Sequence, residues 1–287
     1  MLKRMNKINY KKLYEQQLTE NKKLKEKIKE LNKELKLLKS EFEKGKLCSF
    51  SGNNYEKNIY KILKQCKLNN KIFNTQEESE LGGSNIRHDI QCNFINDKDI
   101  GIEIKKYNTP DWMQCCVKYN KELKKFVPSQ KSKIPKECRN IFERLINNVN
   151  LYDGKIPPFI EKHLTYDEWT KIKNDTNDWD DIYIDIPNNI IRKLYSIKGC
   201  EYIQLSNGYG LYHLGDDICN FNVPIFTLEQ QIRIRIKVHT RKNKNGFCEL
   251  SITLACQPKN ISSLKKSNYS LDNIDKLPIN LTYIKSN

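Results

Sequence analysis

The sequence predicts an α/β protein: a small mixed sheet with helices against it, a long helix ahead of it and a β-rich extension behind. Three observations carry that expectation. Apolar residues recur at heptad spacing between residues 10 and 44. Two short runs, His88–Phe94 and Ile100–Lys105, alternate between apolar and polar among helical patterns. The last third holds two longer alternating runs around turn residues.

The first element is a helix over residues 10–44. Asn21, Ile28, Leu35 and Phe42 occupy one heptad position, and Gln17, Leu24, Leu31 and Leu38 the complementary one. Ile opposite Leu in such a seam, with a single Asn, favours a parallel two-stranded coiled coil. The plainer alternative is one helix packed on the protein's own body. Residues 45–54, with two glycines and polar neighbours, read as a linker. A short helix with Tyr55, Ile59, Ile62, Leu63 and Cys66 on one stripe should follow.

Next comes a weak strand at 71–75. In His88–Phe94, Ile90, Cys92 and Phe94 share one face, and in Ile100–Lys105 the three isoleucines do. Residues 96–99 supply the turn between them, which makes the pair an antiparallel hairpin. Thr109-Pro110-Asp111 resembles a helix start and predicts a helix to Phe126. A second helix is expected over 137–149. The acidic stretch 152–181 gives no clear assignment. Asn207-Gly208 and residues 241–246 each mark a hairpin, joining 202–205 to 210–214 and 231–240 to 247–256. The tail, 257–287, should wrap the surface.

The net charge of +16, from 51 Lys+Arg against 35 Asp+Glu, points to a polyanionic partner. Residues 1–47 contribute +8 of it, 15 Lys+Arg against 7 Asp+Glu, so half the excess lies on the heptad arm. No apolar run long enough for a membrane helix and no apolar signal-peptide core occur, so an intracellular protein is expected, in cytoplasm, nucleus or a viral replication compartment. Ten cysteines without a C-x-x-C pair read as reduced thiols rather than disulfides or a zinc site.

The chemistry-bearing group is Asp89 with Glu103-Ile104-Lys105. On a strand, residues two apart face the same way, so Glu103 and Lys105 share a face. Asp89, across the hairpin, is opposite in phase to Ile90 and Cys92. Two carboxylates can hold a hard divalent cation, and a lysine beside them can orient a water. E-x-K alone is weak in so lysine-rich a chain. Glu20-Lys22, Glu34-Lys36 and Glu122-Lys124 match it too, but all fall in expected helices, where such positions face apart. The plainer reading is a solvated sheet face with a chance ion pair.

With those residues in order, the segment 50–126 resembles the PD-(D/E)xK nuclease superfamily, the restriction-endonuclease-like fold. The resemblance implies a helix, three strands, a helix and a fourth strand (αβββαβ), with Tyr202–Leu205 as that fourth strand. It implies catalytic roles for Asp89, Glu103 and Lys105. It further implies supporting roles for Glu56 on the first helix and Gln114 on the second, and Mg²⁺ or Mn²⁺ held by Asp89 and Glu103. Gly82, Gly83 and Ser84 resemble a loop that lets a backbone approach DNA. His88 stands where the motif has Pro, either as a base or as a neighbour of the site. The chain also resembles nuclease-like proteins of large DNA viruses. The implied organisation is a dimerisation helix (1–47), a nuclease core (48–130), a helical insertion with a basic β-rich part (131–256) and a tail (257–287).

Between residues 231 and 240, Arg233, Arg235, Lys237 and His239 alternate with Ile232, Ile234, Ile236 and Val238. Cations on one strand face stand about 7 Å apart, which suits backbone contact with DNA. The alternative is a sheet edge protected by charge. Taken together, these features lead to a metal-dependent DNA endonuclease acting as a coiled-coil homodimer. An inactive DNA-binding or packaging scaffold, or a structure-specific repair or recombination nuclease, are the alternatives.

Overall fold

The computed structural model describes residues 2–78, 81, 88–93, 99–109 and 111–285, with the side chains of 2–9, 34 and 37–50 outside that set. The chain divides into two compact units, Met1–Asn53 and Asn54–Asn287. No described helix is long and apolar enough to cross a membrane. The nine described cysteines are free, and most are buried.

Helix α1 (Leu2–Lys64) runs unbroken through the expected linker. A glycine costs a helix only about 1 kcal/mol relative to alanine. Gly52 stands among weak formers (Ser49, Phe50, Ser51, Asn53, Asn54), but each costs less than a glycine and no proline interrupts the run. In the first unit Leu24, Ile28, Leu31 and Leu35 are half exposed, so the described part of the heptad seam faces solvent. The side chains of Leu38 and Phe42 lie outside the described set.

The second unit is mixed α/β with three sheets. Strands β1 (Cys66–Leu68) and β2 (Lys71–Ile72) follow α1. Strands β3 (Ile90–Asn93) and β4 (Asp99–Lys105) form the expected antiparallel hairpin, Ile90 opposite Ile102. The expected helix after Pro110 is instead a second hairpin, β5 (Gln114–Asn120) and β6 (Lys125–Pro128). The capping pattern misled, and the alternation of buried Cys115 and Val117 was the better signal. Helix α2 (Lys136–Ile146) matches its expectation. The acidic stretch forms α3 (Tyr166–Asp175), started by a Thr165–Glu168 capping box, and then β7 (Ile182–Ile186).

Helix α4 (Ile190–Ile197) leads into β8 (Cys200–Leu205), which pairs parallel to β4. A tight turn with Asn207 and Gly208 both at positive φ joins β8 to β9 (Gly210–His213). That turn geometry matches the right-handed twist of the strands it connects. Strands β10 (Gln230–Thr240) and β11 (Glu249–Pro258) form the long hairpin. The tail does more than wrap the surface: β12 (Leu281–Tyr283) pairs with β1, and Leu271 is fully buried.

The sheet orders are β12-β1-β2, β6-β5-β11-β10-β7 and β3-β4-β8-β9. Two apolar clusters back them. One packs the five-stranded sheet against α2 and α4. The other packs the end of α1 (Ile59, Tyr60, Leu63) against β3, β4 and the tail. The candidate site lies in the four-stranded sheet.

Candidate active site

β4 is the second strand of its sheet, bonded to β3 on one side and β8 on the other. Continuing the β3–β4 register one step past Ile90 and Ile102 sets Asp89 opposite Glu103. Asp89 Oδ2 accepts the Ile104 N–H at 2.8 Å and lies 3.4 Å from Lys105 Nζ. Lys105 Nζ also donates to Glu103 Oε1 and, at 3.2 Å, to the Ile104 carbonyl. The acid, the second acid and the lysine read from the sequence are therefore one contact group. The lysine ammonium lies between the two carboxylates.

Glu103 is almost fully buried, and so is a partner that sequence reasoning missed. Lys198, at the end of α4, donates to Glu103 Oε2 at 3.1 Å. The side chains of Lys198 and Glu103 are 6% and 3% exposed. Cys200 Sγ is 3.6 Å from the same oxygen. Tyr195 stacks its ring under both ammonium groups, 5.5 Å from Lys105 Nζ and 5.3 Å from Lys198 Nζ. Its hydroxyl is buried without a hydrogen-bond partner. The available signal was Tyr195 and Lys198, three apart on a helix leading straight into the strand chosen as the fourth of the core.

The electrostatics follow from this geometry. Burial alone would raise the Glu103 carboxyl, but the ammonium groups of Lys105 and Lys198 outweigh it and hold its pKa below the usual value. Asp89 goes the other way: burial raises it, Glu103 adds repulsion, and Lys105 offsets them only in part. Burial favours neutral Lys105, yet Asp89 and Glu103 raise its pKa well above the ordinary lysine value. Lys105 is thus an ammonium at neutral pH, suited to stabilise negative charge and not to accept a proton.

Glu56, on the last turns of α1, feels the same group. Burial and then the charge of Asp89 push its carboxyl up to about 7. Its Oε1 is buried with no hydrogen-bond partner.

Gln114 is elsewhere. It lies on β5 opposite Ala255, in the five-stranded sheet, because the expected helix does not form. Among the described residues it makes no hydrogen bond to the carboxylate group. His88 packs on the bare backbone of Gly101, where a Cβ would come within 2.7 Å of the imidazole and 2.2 Å of the Gly199 carbonyl. Its Nε2 is 3.3 Å from Gln91 Oε1, which makes it a packed neighbour of Asp89. Gly82, Gly83 and Ser84 lie outside the described residues.

The β10 cations also differ from the free row that the alternation suggested. Arg233 is 2.5 Å from Asp181 and 3.5 Å from Asp111, and Arg235 is 2.6 Å from Asp111. Asp111 is itself almost buried and accepts from Gln257 at 2.7 Å. Both guanidinium charges are thus spent on internal carboxylates. His239 Nε2 meets Ser251 Oγ at 2.7 Å, and burial together with the Lys237 charge lowers its pKa. Lys237 makes no ion pair among the described residues.

Among the described residues no group of three His, Cys, Asp or Glu is set to enclose a metal ion. Magnesium does not demand one: it is usually held by one or two carboxylates, with water and phosphate completing the shell. The donor set fits that mode. Asp89 and Glu103 are hard oxygen ligands, and the unpartnered Oε1 of Glu56 is a buried acceptor close enough to feel Asp89.

No family model matches the chain, and no curated protein matches it. Among solved structures, the HhaI endonuclease in complex with DNA is similar at a TM-score of 0.31 and 14% identity, over 66% of this chain and 84% of that one. At that score the likeness carries no weight, and the functional reading rests on the side-chain geometry.

Proposed function

We propose that the chain is a metal-dependent nuclease that hydrolyses phosphodiester bonds in DNA. The observation that carries this reading is the contact group of Asp89, Glu103 and Lys105 on paired strands, with Lys105 charged between the partly buried Asp89 and the buried Glu103. Asp89 and Glu103 would hold Mg²⁺ or Mn²⁺, which when bound supplies a Lewis acid for the phosphate and a more acidic water.

The protein's own groups do the remaining work. Lys105 places an ammonium beside the phosphate oxygens and opposes the negative charge that grows as water oxygen bonds to phosphorus and the P–O ester bond breaks. Lys105 and Lys198 hold Glu103 ionised and in one orientation, with the Tyr195 ring packed against both ammonium groups. Glu56 offers an unfilled acceptor for a water proton. The exposed heptad of α1 supports a parallel homodimer: in register, Glu20 would face Lys25 of the second copy.

One observation favours a binding-only scaffold instead. Both oxygens of Glu103 are already occupied, by Lys105 and by Lys198. Incubating supercoiled plasmid with the protein, in Mg²⁺ or in chelator, separates the two readings. The nuclease nicks or linearises the plasmid only with Mg²⁺, and Asp89→Ala and Lys105→Ala abolish cutting while leaving DNA binding intact. Binding without cutting in Mg²⁺ and in Mn²⁺, or normal cutting by both variants, overturns the nuclease.

A further inference from the structure

Helix α4 has two faces with different tasks. Ile190, Ile191, Leu194 and Tyr195 are buried, and Tyr195 and Lys198 reach the carboxylate group. Arg192, Lys193, Ser196 and Ile197 follow at positions that place them on the opposite face. That outer face meets α2 in an open groove of about 520 Å³, lined also by Ile141, Arg144, Asn189 and Leu214.

The charge of this groove is unbalanced. Among the described residues Arg144, Arg192 and Lys193 make no ion pair, in contrast to Arg233 and Arg235. Arg144 and Lys193 are exposed. Glu143 neighbours Arg144 on α2 without forming a salt bridge among the described residues.

A ligand that fits has negative charge for the three cations and an apolar face for Ile141, Ile197 and Leu214. A sugar–phosphate strand has both. We propose that the α2–α4 groove holds the backbone of the bound nucleic acid. Helix α4 would then link the two sites, gripping the strand outside and orienting Glu103 within. The proposal deepens the nuclease reading and rests on nucleic acid being the substrate. It assigns phosphate contact to α2 and α4 instead of to β10.

The test is fluorescence anisotropy with labelled 20-mer duplex and single-stranded DNA, across a salt series without metal. The proteins are wild type, Arg144→Ala/Lys193→Ala and, as a control of equal charge change, Lys171→Ala/Lys173→Ala on the exposed side of α3. The two groove side chains are exposed, so circular dichroism and thermal melting of the groove variant should match wild type. Each lost phosphate contact lowers the salt slope by about 0.9 and weakens binding up to about eightfold at 0.1 M salt. The groove variant should therefore lose nearly two units of slope and bind at least tenfold more weakly, while the α3 control binds like wild type. Unchanged affinity and slope in the groove variant overturn the groove and leave the nuclease reading standing. Weakened binding in a protein that never cuts DNA upholds the groove and overturns the nuclease. No DNA binding by wild type, with capture of an acidic peptide instead, overturns both.

Discussion

Replacing Lys198 with Met tests how Glu103 is kept in place. The substitution keeps most of the side-chain volume and removes the ammonium. Glu103 is 3% exposed, and Lys198 holds one of its oxygens at 3.1 Å. Removing one partner from a buried ion pair costs about 3–5 kcal/mol, because the remaining charge stays buried. Lys105 still reaches the other oxygen, so the lower end applies, about 3 kcal/mol. For a body of this size, with about 2–4 °C per kcal/mol, the melting temperature should fall by about 6–12 °C. The loss also depends on pH. Glu103 titrates below its usual range in the folded protein, so its ionised form adds stability above the unfolded value, which is lost as pH falls through the folded pKa. Without Lys198 that depression shrinks, and protonating Glu103 relieves the unpaired charge. The gap between variant and wild type in urea unfolding should therefore be widest at pH 7.5 and narrow only as pH falls below the ordinary glutamate value. A gap below about 1 kcal/mol at pH 7.5 would refute the assignment of Lys198 as the residue that holds Glu103.

Three further outcomes follow from the same structure. Glu56 titrates at about 7 when folded and near 4.5 when unfolded, so wild-type stability should decline as pH rises between those values. Glu56→Gln removes that decline and should be the more stable protein by about 1–3 kcal/mol above pH 7, at about 1.4 kcal/mol per pKa unit. Parallel stability curves from pH 4.5 to 8 would contradict it. Gly101→Ala sets a Cβ 2.2 Å from the Gly199 carbonyl and should cost about 3 kcal/mol, read as a lower melting temperature, whereas an unchanged melt would show that β4 and the loop before β8 can separate. Deleting residues 1–44 should halve the mass measured by light scattering, and the same mass with and without the arm would remove the coiled-coil dimer.

The parts legible in the sequence were those fixed by local periodicity. The β3–β4 hairpin was readable from Ile90 and Cys92 against Ile100, Ile102 and Ile104. The β8–β9 turn was readable from Asn207-Gly208, and both acids of the site from the phase of their strands. The helix expected after Pro110 failed because a capping pattern also suits a turn, and the five-stranded sheet supplied β5 with partners far along the chain. Gln114 went with it. Arg233 and Arg235 were legible as a row, but their carboxylates were not, since Asp111 and Asp181 meet them only through tertiary packing. Lys198 and Tyr195 were hidden for the same reason: residues 106–199 separate the two parallel strands that bring them to Glu103.

Those intervening residues also set the order of events during synthesis. β4, with Ile100, Ile102 and Ile104, leaves the ribosome well before β8, the strand that covers its second edge. Until then an apolar strand with unpaired backbone groups is open to pairing with another nascent chain. Pairing distant parallel strands is intrinsically slow, because the loop must close before any contact rewards it. Translation speed and chaperone occupancy over residues 106–199 should therefore govern the yield of soluble protein more than the stability of the finished fold. A slow-codon stretch after residue 205 should raise that yield, and one placed before 199 should lower it.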